Sequence, residues 1–464
     1  MIPLARHAAR RSALQQRVDG PILLLGNGDR IRNIPLNPLP FRQDSTFLYL
    51  TGCAIPGAAA LLADGSYTLF LPEPDADDAL WHGSVPSLAD LGAQFGADEA
   101  VPAVALAARV QGKRCATIAV ADEARNAAAR QWCEAPLSFG DQHGTDALVD
   151  AIIALRRTKD ADEIAELRAA AAITERAFAA TLRATHPGGT EHGLWALFEA
   201  VLRIGGCTLG YDTILSQAGE ILHNHRHEGA LEPGRMVLLD GGGELTRSGY
   251  TVDITRTWPV SGAFAPRQAA AYDAVLAAQA AAIARCRAGV AYREVHDTSS
   301  RVLARFLVDE GLAHGDPDGL VEQGAHAVFF PHGVGHHLGL DVHDLENFGD
   351  RPSYPAGKTR PAQFGTRNLR LDLPLEAGWV VTIEPGFYVV PAILADPTLR
   401  DTFAGTIDFD AAADWIGFGG IRIEDDVHVT TGAPEVLTAV PKERAAITAL
   451  VGSGPGPEEL LCCP

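Results

Sequence analysis

No apolar run in the 464 residues approaches the roughly 18 to 20 that a membrane-spanning helix needs, so no membrane partner is expected. Positive charge is short as well: 38 lysines and arginines face 58 aspartates and glutamates, a formal net charge of -20. Nucleic acid would be repelled over most of such a surface, which leaves neutral or cationic small molecules as partners. The seven cysteines, Cys53, Cys115, Cys133, Cys207, Cys286, Cys462 and Cys463, are odd in number and scattered, with neither a CxxC pair nor the spacing of a zinc knuckle or disulfide framework. That pattern suggests a reducing, cytoplasmic setting. The opening MIPLARHAARRSALQQR carries Arg6, Arg10, Arg11 and Arg17 but lacks the apolar centre of a secretory signal, and reads as an amphipathic helix. Low-complexity sequence is absent too, and with 47% hydrophobic and 21% charged residues the chain is expected to form two or three globular domains.

Residues 1–155 read as an α/β domain without a catalytic cluster. PILLLG at 21, TFLYLTG at 46, GAAALLA at 57 and SYTLFLP at 66 have the look of strands, and 87–110 and 121–132 of helices. Near 155 a long helix begins, with Asp160 as N-cap and Glu163 as its capping-box partner. HPGGT ends it, Thr190 caps a second helix to about 204, and strands are expected near 211–216, 235–240 and 250–258. The order then repeats: a helix from Pro266 to about 287, a break at Gly289, a helix to about 310, and strands at 378–384 and 420–430. Two helix, helix, strand, strand units imply a pseudo-symmetric α+β domain whose sheets meet in the middle. The Gly- and Pro-rich end, GSGPGPEELLCCP, reads as a frayed tail over 451–464.

Carboxylates stand where apolar strands are expected: Asp240 ends one apolar run, Asp253 precedes a β-branched one, Glu384 interrupts VVTIEPGFY, and Glu424 lies in GGIRIEDDVHVT. Burying an unpaired carboxylate costs several kcal/mol or shifts its pKa, so a metal cluster explains the four together. Singly, Asp240 could start a turn, Glu424 could face solvent on a strand edge, and Asp253 could pair with Arg256. HGVGHHLGLDVHD at 332–344 holds four histidines and two aspartates in thirteen positions. His332 and His336 have the spacing of a zincin helix, but Gly333 stands where that motif needs glutamate and Gly335 weakens a helix, so a glycine-lined loop or strand presenting single histidines fits better. A second cluster, ILHNHRHEG, offers His223, His225 and His227 on an expected loop, where a catalytic hydrogen bond suits them better than metal ligation.

With FRQDSTFLYLTG at 41, the motifs DITRTWPVSG, HGVGHHLGLDVHD, TIEPGFY and GGIRIEDD occur in the order found in the pita-bread metallopeptidases, and the chain resembles their aminopeptidase P and prolidase branch over nearly its whole length. The resemblance implies an aminopeptidase P-like N-terminal α/β domain over 1–155 and a pita-bread α+β catalytic domain with pseudo-twofold internal symmetry over 156–450. It also implies a dinuclear site: Asp253 and Glu424 bridge two ions, Asp240 completes one, and His336 with Glu384 completes the other. His343 and His223 fall on histidines that contact substrate and the tetrahedral intermediate, and His332 on one that lines the pocket. The implied activity is hydrolysis of the bond before a proline, as an Xaa-Pro aminopeptidase or alternatively an Xaa-Pro dipeptidase (prolidase), on short proline-containing peptides, in a homodimer or larger homo-oligomer. A non-catalytic, peptide-binding member of the fold is a further alternative, disfavoured because all five ligand positions are filled.

The residue chemistry agrees with that assignment. Four carboxylates and one imidazole form an oxygen-rich set suited to Mn(II), with Co(II) or Zn(II) as alternatives. Two divalent ions would balance the four carboxylate charges, activate a water and polarise the scissile carbonyl, with Glu384 as general acid and base and His343 stabilising the oxyanion. Arg422, two positions before Glu424, shares its strand face and could hold a carboxylate. Tyr211, Phe387 or Tyr388 could contact the proline ring. Arg370 falls where prolidases hold a dipeptide's terminal carboxylate, although with Arg360 and Arg367 close by it could be a solvated charge.

Overall fold

The computed structural model describes residues 2–73, 78–81, 83–84, 86–133 and 135–461. It forms two compact units: Met1–Arg157 with Leu345–Pro352, and Thr158–Asp344 with Ser353–Pro464. Cys462 and Cys463 lie outside the described residues. No helix among the described residues is long and apolar enough to cross a membrane.

The first unit is built on a five-stranded mixed sheet. Its central hairpins pair Ile22–Leu25, Ala59–Ala63 and Ser66–Leu71 antiparallel, with Glu99–Pro102 and Ala116–Thr117 added in parallel at the edges. TFLYLTG, expected as a strand, is instead the helix Ser45–Thr51. Asp44 caps it by accepting from the Phe47 N–H at 2.8 Å, and Gly52, with φ of 68°, ends it in the left-handed region. Almost every residue of this short helix is buried, so it shows no helical periodicity, and a short apolar run cannot be told from a strand by pattern alone. The opening helix Leu4–Gln15 explains its arginines: Arg10 and Arg11 are buried and donate to the Tyr49 and Leu50 carbonyls at 3.2 and 2.8 Å, satisfying that helix's C-terminal end. The helix expected over 87–110 is broken into Leu88–Gln94, the strand Glu99–Pro102 and Leu106–Val110, because Gly96 turns the chain at φ of 62°. Arg351 forks onto Asp146 and Asp150, at 2.5 and 2.7 Å, which binds 345–352 into this unit.

The second unit repeats one motif twice. Helices Ala161–Arg183, with its Asp160 and Glu163 capping box, and Glu191–Ile204, capped by Thr190, precede an antiparallel sheet of Ile214–Ser216, Met236–Asp240 and Thr255–Pro259. Helices Pro266–Arg285 and Tyr292–Asp309 precede Val380–Ile383, Asp425–His428 and Glu435–Val436, with the ribbon Gly386–Tyr388 and Gly420–Arg422 beside them. Residues 420–430 are therefore two strands, and Glu424, expected inside a strand, stands in the break. That break is the seam of the two halves: Glu424 donates its N–H to the Thr255 carbonyl at 3.0 Å, and the Thr257 hydroxyl donates to the Arg422 carbonyl at 3.1 Å. Arg256 and Gln279 close the seam from behind. Both are fully buried, Arg256 reaching the Glu424 carbonyl and Asp425 at 2.6 and 2.7 Å and Gln279 reaching the Ile423 carbonyl and Asp425 at 3.2 and 3.0 Å. Residues 451–461, expected to fray, are bound: Gly452 and Gly454 donate to the Leu182 and Arg183 carbonyls at 3.1 and 3.0 Å, and Pro457–Leu461 is a short helix against Glu191–Ile204.

Two histidines, His296 and His326, are sealed in this unit's core with ring centroids 6.1 Å apart. Burial pushes His326 down from 6.5 to about 4. The folded state therefore keeps it neutral while the unfolded chain protonates below pH 6.5, so its stabilising share is intact above that pH and is lost as pH falls towards 4. Replacing His326 with phenylalanine should remove about 2 kcal/mol of the stability lost between pH 7 and pH 5. Urea unfolding of both proteins at the two pH values checks this; equal losses would contradict it.

Candidate metal centre

Five side chains from both halves line one cavity of about 810 Å³: Asp240, Asp253, His336, Glu384 and Glu424. Asp240 ends the strand Met236–Asp240, and its carboxylate accepts from the Tyr211 hydroxyl and the Arg422 guanidinium. Tyr211 also donates to Asp253, so one phenol ties two carboxylates together. Asp253 is fixed from behind by its own N–H, which donates to Asp426 at 3.2 Å.

His336 reaches the cavity because its chain runs flush against the strand Val380–Ile383. Its N–H donates to the Thr382 hydroxyl at 3.1 Å, its carbonyl accepts from the Thr382 N–H at 2.9 Å, and a Cβ on Gly335 would lie 2.1 Å from the Thr382 carbonyl oxygen. Only glycine permits that approach. His336 Nδ1 lies 2.9 Å from the His337 carbonyl, a contact that orients the ring so that Nε2 faces Asp253 and Glu384 at 3.5 and 3.7 Å.

Glu424 supplies the most telling atom. One of its oxygens accepts from the Thr255 hydroxyl at 2.7 Å, while Oε1 is buried with no hydrogen-bond partner. Ligand atoms of Asp253, His336 and Glu424 all lie within 4.8 Å of one another. Burial, reinforced by Asp253, Glu384 and Asp240, pushes Glu424 well above the carboxylate range. Burial likewise carries Glu384 up to about 7 and Asp240 up to about 6, with Asp253 adding to both and Arg422 opposing. Burial raises Asp253 too, but the hydrogen bond and charge of His336 outweigh it and hold Asp253 low. The four carboxylates cannot all ionise without positive charge between them, and an orphaned oxygen in the set is what divalent cations would satisfy.

The remaining expected site residues gather here as well. His343 packs edge-on against His336 at 4.4 Å and is lowered by burial and by His336 to about 3; His223, more exposed, is lowered by partial desolvation and by Arg422. His332 Nδ1 stands 3.6 Å from Glu384, and burial with Arg422 lowers it to about 3. Tyr211 and Arg370 line the cavity, as does His225 of the second histidine cluster, whereas His227 stacks on Trp195 at 5.1 Å. Arg256 pairs with Asp425 rather than Asp253, and Glu424 is 2% exposed, so neither local alternative holds. Phe387 is not on the cavity wall: it sits in a core of Phe306, Phe329, Trp415 and Phe418. Tyr388 acts instead through its hydroxyl, which joins His332 at 2.9 Å to Arg422 at 3.0 Å. Thr255 and Thr382 were missed, although Thr255 shares the period-two face of Asp253 in VDITRT, and that parity was the available signal. No pattern marked the buried Lys159–Asp344 pair at 2.9 Å, which anchors the end of the histidine loop.

The profile of metallopeptidase family M24 matches residues 165–431, and that of the aminopeptidase P N-terminal domain matches residues 7–116. Probable Xaa-Pro aminopeptidases of Penicillium rubens and Verticillium alfalfae are each 32% identical, the first over 97% of both chains and the second over 94% of this chain and 93% of its own. Among solved structures, the aminopeptidase PepP of Pseudomonas aeruginosa superposes with a TM-score of 0.80 at 31% identity, covering 97% of this chain and 98% of its own. Aminopeptidase P from E. coli with the inhibitor Pro-Leu gives 0.78 at 27%, with the same coverage, and a zinc-substituted form of the E. coli enzyme with product gives 0.74 at 27%.

Divalent ions bound here should stabilise the chelated protein, by about 2.7 kcal/mol when free metal is a hundredfold above its Kd. Thermal melts with and without added Mn(II) should show that rise in the native protein and a much smaller one in Glu424→Gln. An equal rise in both would place the metal elsewhere.

Proposed function

The chain belongs to metallopeptidase family M24, and on that premise we propose that it is an Xaa-Pro aminopeptidase whose five ligands, Asp240, Asp253, His336, Glu384 and Glu424, hold two divalent ions, Mn(II) by the oxygen-rich donor set. The observation that carries the site assignment is the buried, unpartnered Glu424 oxygen among three further carboxylates and an imidazole. When bound, such ions supply the Lewis acidity that lowers the pKa of a water and polarises a peptide carbonyl. Everything else falls to the chain's own groups.

Glu384, held near neutrality, takes a proton at its carboxylate and returns it to the leaving imino nitrogen, which as a tertiary amide has no hydrogen of its own. His343 and His223, both lowered, stay neutral at pH 7 and keep an N–H to donate to the developing oxyanion. Arg422 and Tyr211 hold Asp240 in place, and the Tyr388 hydroxyl ties Arg422 to His332. A prolidase reading has one observation in its favour, Arg370 on the cavity wall, where it could meet a dipeptide's carboxylate. The length-matched aminopeptidase relatives favour the first reading. A cytoplasmic location and a homodimer or larger assembly complete the proposal. The free Cys53, Cys133, Cys207 and Cys286 support the location.

Product analysis with Mn(II)-loaded enzyme tests the activity. Release of alanine from Ala-Pro-Ala but not from Ala-Ala-Ala is expected; cleavage of Ala-Pro alone would make it a prolidase, and no cleavage by fully loaded protein would defeat the peptidase reading. His343→Ala should lower kcat by about 10²- to 10³-fold with the melt unchanged. A loss confined to KM would remove it from the oxyanion role.

A further inference from the structure

Of the three histidines in ILHNHRHEG, His223 and His225 line the cavity, whereas His227 turns onto Trp195. All three lie on one excursion of the chain, residues 218–229, which leaves the strand Ile214–Ser216 and returns ahead of Met236–Asp240. Both ends of the excursion are fixed. Glu191, buried at the start of its helix, accepts from the Gln217 N–H at 2.6 Å and the Gly229 N–H at 3.0 Å, so one carboxylate clasps the two ends. Gly219 passes so close to the ribbon that a Cβ on it would lie 2.7 Å from the Gly420 carbonyl oxygen, an approach that only glycine permits.

Between those ends the Asn224 amide donates to the Ser216 hydroxyl at 2.8 Å, and His227 makes a double attachment. Its ring is stacked on that of Trp195, in the helix Glu191–Ile204, with centroids 5.1 Å and planes 16° apart, and its Nδ1 lies 2.9 Å from the Leu215 carbonyl. Leu215 pairs with Leu239 in the strand that ends at Asp240, so His227 registers the excursion against the sheet that carries a cavity carboxylate. His223 stands four residues earlier on the same excursion; exposed itself, it takes its place on the cavity wall from the backbone that His227 secures. We propose that His227 is a positioning residue acting through His223, holding that ring where it can donate to the developing oxyanion. A catalytic hydrogen bond is sensitive to displacement of about 1 Å, so a loosened excursion should slow turnover rather than weaken binding.

This assignment rests on the peptidase reading and on the role that reading gives His223, and the test separates them. Full-length, Mn(II)-loaded enzyme is assayed on Ala-Pro-Ala as native protein, His227→Ala, His223→Ala and the double variant. His227→Ala should lower kcat about tenfold, with KM moved by less than about twofold and the melt unchanged. When His223 is already alanine the same change should have almost no further effect, because residues that act as a unit are not additive. His227→Asn, which keeps an amide for the Leu215 carbonyl, should recover part of the loss. Equal losses in both backgrounds, no loss in either, or no recovery with asparagine would overturn the positioning role while leaving the activity in place. A native enzyme that leaves Ala-Pro-Ala intact would defeat the functional reading, and this one with it.

Discussion

Four carboxylates buried against one another are the constraint around which the second unit is organised. In water they would ionise near pH 4; here burial and mutual repulsion lift three of the four, and only Asp253, beside His336, stays low. A fold that gathers such groups holds a high-energy arrangement unless positive charge enters it. The protein's own contribution, Arg422 with His336, is too small to balance four negative charges, and the unpartnered oxygen of Glu424 marks where the balance is incomplete.

The seam between the pseudo-symmetric halves makes the gathering possible. Asp240 and Asp253 come from the first half, Glu384 and Glu424 from the second, and the Thr255 to Glu424 bridge registers one against the other. Behind it Arg256, Gln279 and Lys442 neutralise or bond Asp425, so the residue after a cavity carboxylate is a structural anion fully paired in the core. Adjacent carboxylates thus face opposite sides of one chain, Glu424 to the cavity and Asp425 to the core.

Much of this was legible in the sequence, for identifiable reasons. Capping residues such as Asp160, Glu163 and Thr190 announce their helices because the side-chain oxygen replaces a missing backbone acceptor, a rule that needs no tertiary context. Carboxylates within apolar strands stood out because no core tolerates them unpaired, and Arg422 followed from period-two alternation with Glu424. What stayed hidden depends on contacts distant in sequence. The Ser45–Thr51 helix looks like a strand because surroundings supplied elsewhere bury it on all sides. The break at Glu424 exists only because Thr255 pairs there, and Phe387 could be assigned to core or cavity only by knowing which face its ribbon turns inward. The terminal segment has a frayed composition, yet its backbone finds carbonyls at the end of a helix some 270 residues earlier in the chain.

If the carboxylates are ionised only in the company of cations, metal binding must displace protons. Calorimetric titration of Mn(II) into the chelated protein at pH 7, in two buffers of different ionisation enthalpy, counts them. The account predicts release of about one to two protons per chain as the site fills. Binding that releases none would mean that the empty cluster is already fully ionised, contradicting the claim that cations are what allow these four carboxylates to share one cavity.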